Sequence, residues 1–188
     1  YRIRPIPFSD SENSTWKYWL VDDQRPFSDR PDVLVFTSDP LEKPLTVVGE
    51  VRPTLFAATT GSDADWVVKL IDAYPPEVAG HPELGGYQLM VSADIMRGRY
   101  RESFADAIPI PAGKVLPYTF RIPQVDHTFL PGHRVMVQVQ SSWFPLYDRN
   151  PQTFVDNIAY ADPGQYRKAT HSIYHTGDTA SFVDLPLK

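Results

Sequence analysis

Apolar and polar positions alternate along this chain in short runs, and almost nowhere recur at the three-and-four spacing of a helix. The clearest run is His133–Ser141. Val135, Val137 and Val139 fall on one face there, and Arg134, Met136, Gln138 and Gln140 on the other. That pattern predicts a half-buried strand. Runs rich in β-branched and aromatic residues predict further strands at Val33–Thr37, Leu45–Ala58, Trp66–Ala73, Tyr87–Tyr100, Leu116–Ile122, Ser172–His175 and Ala180–Leu185. Gly, Pro, Asp and Asn separate most of them. One helical segment is expected, Pro163–Ala169, with Asp162 as its cap and Pro163 at the first helical position. Many short strands and almost no helix predict an all-β fold, a β-sandwich of the jelly-roll kind.

The first thirty residues do not share this pattern. Pro5 and Pro7 are followed by a polar stretch from Asp10 to Thr15 and then by the aromatic cluster Trp16-Lys17-Tyr18-Trp19. Residues 1–30 therefore read as an arm or linker, and 31–188 as the sandwich. The chain opens on Tyr1-Arg2-Ile3 with no methionine and no apolar signal segment, and reads as cut from a longer polypeptide.

Composition narrows the function classes. A length of 188 residues, 42% of them hydrophobic, suits one domain with a proper core. Nineteen prolines, about twice the usual ~5%, favour short strands between shaped loops. Eighteen basic residues against 23 acidic ones give a net charge of −5, with no clustered positive field of the kind nucleic acid requires. No apolar stretch approaches the roughly 20 residues of a membrane-spanning helix. The absence of cysteine excludes disulfides and thiolate chemistry and leaves the compartment open.

Candidate chemistry is sparse. A serine nucleophile on a strained elbow needs G-x-S-x-G, and none of the ten glycines has serine two residues on. No phosphate loop, zinc motif or other cofactor signature occurs, so no cofactor and no metal are expected. His171 and His175 would share a strand face with Ile173, but two imidazoles make a poor zinc site. His127 and His133 flank Phe129-Leu130-Pro131-Gly132, and hydrogen bonding around that turn is their expected task. Asp63 and Asp65 lie just before a strand; two acids alone are a weak start for calcium. Arg97, Arg99 and Arg101 alternate along one expected strand, so all three would point to a single face. Such a stripe either pairs with carboxylates such as Asp63 and Asp65 or binds an external anion. Trp66 and Trp143 are expected in the core or at its rim. Trp16, Tyr18 and Trp19 sit outside the strand pattern, and with Arg25 they are candidates for a contact surface.

Four stretches, taken in order, resemble a known family. They are Asp22-Asp23-Gln24-Arg25 with Arg30-Pro31-Asp32-Val33-Leu34, then Ser62-Asp63-Ala64-Asp65-Trp66, then Gly98-Arg99-Tyr100-Arg101-Glu102-Ser103. The last is Leu130-Pro131-Gly132-His133-Arg134, running on to Phe144-Pro145-Leu146-Tyr147. The set resembles the C-terminal domain of the X-Pro dipeptidyl-peptidase and cocaine-esterase class of serine hydrolases, with α-amino-acid ester hydrolases and glutaryl-7-aminocephalosporanic-acid acylases especially similar. The resemblance implies a jelly roll of the galactose-binding type, carried by a polypeptide whose α/β-hydrolase domain holds the catalytic triad. It places no triad residue on this chain. It implies a structural module that packs on the absent hydrolase domain of the same polypeptide, shapes its substrate pocket and takes part in a homo-oligomer, with the parent periplasmic or secreted. Because the fold type is shared with sugar binders, a free-standing carbohydrate-binding or assembly module is the alternative.

Overall fold

The structure, a computed structural model, describes residues 21–188. Trp16, Tyr18 and Trp19 lie outside the described residues. Among the described residues nine strands run in the order β1 (Val33–Thr37), β2 (Leu45–Thr59), β3 (Asp65–Ala73), β4 (Gln88–Arg97), β5 (Leu116–Thr119), β6 (Ile122–Phe129), β7 (Arg134–Gln140), β8 (His171–Tyr174) and β9 (Phe182–Asp184). They form two antiparallel sheets, which makes the fold a β-sandwich. One sheet has the order β1-β7-β3-β4; in the other, β2 is flanked by β5 and β6 on one edge and pairs with β8 and β9.

The core lies between the sheets. Val47, Val51, Leu55 and Ala57 of β2 face Trp66, Val68 and Leu70 of β3, with Tyr118, Ile122, Val125 and Phe129 filling from β5 and β6. Each fully buried aliphatic or aromatic side chain of this kind is worth roughly 1.5–3 kcal/mol. Trp66 belongs to this core, tilted against Tyr118 at 5.2 Å between ring centroids and edge-on to His171 at the same distance. His171 is thus a packing residue, and burial pulls its imidazole below the ordinary value.

The strand expected at Leu116–Ile122 is two strands. The chain breaks at Phe120 and Arg121, and β6 continues to Phe129. β6 escapes a period-two reading because Pro123 and Gln124, both exposed, separate the buried Ile122 and Val125. The β2–β6 register shifts at that place, between Gly49 and Val51. The expected helix at Pro163–Ala169 is only a 3-10 turn, Pro163–Gln165. Asp162 does start it, its backbone N–H donating to Gln165 Oε1 at 2.8 Å.

β7 is not half-buried. Its valines face the core as their spacing requires, but Met136, Gln138 and Gln140 on the opposite face are buried as well. Gln140 donates to Ser142 O at 2.7 Å, and Met136 packs with Ile71 and Ala73. Gln138 is covered by a strap formed by residues 21–32, which crosses the outer face of the four-stranded sheet. The strap is pinned by the Gln24 backbone N–H donating to Gln88 O at 3.0 Å, by Ser28 Oγ accepting from Gln138 Nε2 at 2.7 Å, and by a hydrogen bond from Ser28 to Gln88. A single helical turn, Arg25–Ser28, carries Phe27 onto the sheet. The last ten residues of the expected arm are therefore seated on the sandwich.

Under the strap lies Lys69, 1% exposed, on the outward side of β3. Its ammonium donates to Gln24 Oε1 at 2.8 Å and sits 4.5 Å from the Phe27 ring centroid and 5.3 Å from that of Trp143. No carboxylate pairs with it among the described residues. Burial, with the Arg30 charge nearby, draws its pKa down to about 7.

Candidate functional site

Burial forces the polar residues of one sandwich end into a network. Asp63 and Asp65 are buried where β3 begins, and a carboxylate without partners there would be costly. Arg99 Nε donates to Asp63 Oδ2 at 2.8 Å, and its Nη2 donates to Val155 O at 2.7 Å. The Arg99 guanidinium also lies 4.6 Å from the Phe154 ring centroid. Asp63 Oδ1 accepts from the Ala64 N–H at 2.9 Å. Asp65 accepts from Arg97 Nη1 at 3.1 Å and from Asn150 Nδ2 at 2.9 Å. Burial raises both carboxyls, Asp65 to about 6, against the opposing pull of the guanidiniums and of Asn150.

The three arginines do not form a stripe on one strand. β4 ends at Arg97, and Gly98–Tyr100 make a 3-10 turn. The turn sends the guanidiniums three ways. Arg97 reaches Asp65, Arg99 reaches Asp63, and Arg101 closes its own loop by donating to Gly98 O at 3.2 Å, Ile108 O at 3.2 Å and Pro109 O at 2.9 Å. That loop carries Phe104 outward into solvent. Alternation predicted the residues but missed the turn, which Gly98 permits by its lack of a side chain.

A Cβ at Gly98 would lie 2.7 Å from Ile110 Cδ1 and 2.9 Å from Ala64 O; at Gly61 it would lie 2.3 Å from Gln152 O. Gln152 itself holds a left-handed φ of 63°, fixed by its N–H donating to Asn150 Oδ1 at 2.8 Å. Gly98→Ala and Gly61→Ala should each destabilise the domain by about 1–3 kcal/mol through overpacking. Urea unfolding reads this directly, and a midpoint unchanged at both positions would contradict the packing described.

His127 and His133 do not serve the turn between them. Both rings reach Asp72, with His127 Nε2 and His133 Nδ1 each 2.8 Å from one of its carboxylate oxygens. The turn itself is closed by backbone, the His133 N–H donating to Leu130 O at 3.1 Å. This tie between β3, β6 and the residue that precedes β7 left no sequence signal, since the two histidines lie 55 and 61 positions from Asp72. Among the described residues no group of three or more His, Cys, Asp or Glu could hold a metal ion. No helix among them is long and apolar enough to cross a membrane.

Arg25 lies at the surface. Its Nη1 donates to Gly85 O at 3.0 Å and its Nε pairs with Asp23. The remaining feature of note is apolar. A groove of about 320 Å³ opens between the sheets, walled by β1 and β7 on one side and by β8 and β9 on the other. A second depression of about 480 Å³ shares Val139 and Ile173 with it and continues past Leu34 to Trp66, Gln152 and His171.

What this arrangement offers among the described residues is a β-sandwich whose buried ion pairs tie its loops to the sheets. The family model described as the X-Pro dipeptidyl-peptidase C-terminal non-catalytic domain matches residues 7–184, and the chain belongs to that family. It is 39% identical over 165 residues to the cocaine esterase of a Rhodococcus species, an alignment covering 88% of this chain and 27% of that protein. Among solved structures, an aminopeptidase from a marine-sediment Thaumarchaeota archaeon superposes with a TM-score of 0.94 at 58% identity. An α-amino acid ester hydrolase does so with 0.93 at 53%. Each match covers 98% of this chain and 30% of the other. The chain thus spans less than a third of the length of these relatives, and it belongs to a family of non-catalytic C-terminal domains.

Proposed function

We propose that this chain is the C-terminal module of a serine hydrolase acting on ester or amide bonds, and that it packs on the catalytic domain of the same polypeptide. The observation that carries the reading is the constant share of sequence. An aminopeptidase and an ester hydrolase, both more than half identical to this chain, each devote 30% of their length to it. In this reading residues 1–30 lead in from the catalytic domain and the sandwich is a jelly roll of the galactose-binding type. Trp16, Tyr18 and Trp19, with the surface-lying Arg25, form part of the interdomain contact and one wall of the substrate cavity. Chemistry resides upstream, in keeping with the missing G-x-S-x-G.

A fluorophosphonate probe tests this. The full-length polypeptide should label at one serine and turn over an activated acetate ester, while the 188-residue chain should do neither above a protein blank. Stoichiometric labelling of a serine within the chain would overturn the proposal. So would a full-length protein that takes no label.

A further inference from the structure

The two long edges of the sandwich are built differently. On one, β4 closes against β6, with Ser92 Oγ donating to Pro123 O at 2.9 Å. On the other, β8 and β9 are only four and three residues long and both pair with β2; they face β1 across a groove that the Phe36 and His175 rings, 6.3 Å apart between centroids, narrow but do not fill. Among the described residues β1 is an edge strand, paired only to β7. Leu34 and Phe36 line the depressions between the sheets, where a closed sandwich would bury them. They are instead 45% and 41% exposed, and Phe182 on the facing lip is 48% exposed. A flat apolar edge strand of this kind is a pairing hazard that folded proteins cover.

We infer that this open edge is the docking groove for the upstream catalytic part of the same polypeptide, an inference that rests on the function proposed above. The occupant follows from where the chain runs. Relatives carry more than two thirds of their length outside the matching region. The strap of residues 21–32 leads directly into β1 at Val33, so the upstream part is joined to this edge through residues 1–32, a tether that makes its docking here intramolecular. An apolar element of the upstream domain then completes the sandwich interior over Leu34, Phe36 and Phe182. The groove's own walls, Val137, Ile173 and Leu185, already belong to the margin of the core.

Hydrogen exchange compared between the full-length polypeptide and the 188-residue chain tests this without any substitution. Amides of 34–36 and 182–185 should exchange at least about tenfold more slowly in the full-length protein at any protein concentration. Phe36→Lys and Phe182→Glu should leave the melting temperature of the 188-residue chain within about 2 °C, since both side chains are half in solvent. In the full-length protein they should split one thermal transition into two. Equal exchange in the two proteins overturns the inference, as does protection that grows with concentration, which would mark a second copy as the occupant. If residues 1–20 were the occupant, deleting them from the 188-residue chain would deprotect the groove, which also overturns it. These results leave the parent reading intact where the probe still labels the full-length serine, so the two failures are separable.

Discussion

Arg99→Ala is expected to cost the domain about 3–5 kcal/mol, because it leaves the Asp63 carboxylate buried and uncompensated. Arg99 is 2% exposed and Asp63 0%, so water does not replace the lost guanidinium. Two segments depend on this side chain, which holds residues 63 and 155 together. Urea denaturation followed by tryptophan fluorescence should show the midpoint falling steeply. The double variant with Asp63→Asn should lose much less than the sum of the two single losses, the signature of a coupled pair. Additive losses would mean that Arg99 acts through Val155 and Phe154 alone. Asp65→Ala should cost less, because its partner Arg97 retains access to solvent.

Stability should rise with pH above neutrality, and Lys69 should be the reason. Its folded pKa of about 7 lies below the ordinary 10.5, so the unfolded chain binds the extra proton between those values. Unfolding free energy therefore increases from about pH 7 towards pH 10, and the contribution is lost as pH falls through 7. At about 1.4 kcal/mol per unit the window is on the order of 3–5 kcal/mol. Lys69→Met should abolish this slope and stabilise the domain at pH 6.5, where the unmodified protein buries a charge between Phe27 and Trp143. The gain falls short of the full window, because Gln24 Oε1 loses its donor. Denaturant midpoints of both proteins from pH 6.5 to 9.5 decide the matter. Parallel pH profiles would show that Lys69 titrates as if exposed.

The sandwich was legible wherever one face of a strand is apolar and its run uninterrupted, as at Val33–Thr37 and along the valines of β7. Spacing alone also brought out the acids at 63 and 65 and the basic residues at 97, 99 and 101. What it lacked was the turn at Gly98–Tyr100, whose cause is tertiary: Ala64 O, Ile110 and Trp66 leave no room for a side chain at Gly98. The burial of Gln138 and Lys69 was hidden for the same kind of reason. Polar residues alternating with valines imply a wet face unless another segment is known to cover it, and the strap is remote in sequence. The Asp72 pair of histidines and the open edge beside β1 are products of topology and have no local pattern.

The strap also carries information about the order in which the domain matures. Its anchors are far downstream: Gln24 waits 45 residues for Lys69, and Ser28 waits 60 for Gln88 and 110 for Gln138. During synthesis these leading residues emerge before any surface exists to receive them. β7, which supplies the last of those partners, is also the strand that joins β1 to β3. A ribosome-bound chain ending before residue 134 therefore lacks both the four-stranded sheet and the last anchor of the strap, Gln138. Such long-range closure is slow compared with hairpin formation, and it keeps the apolar outer face of β3 open until late. Nascent chains of this domain should accordingly recruit chaperones up to the length at which β7 leaves the exit tunnel, and release them soon after.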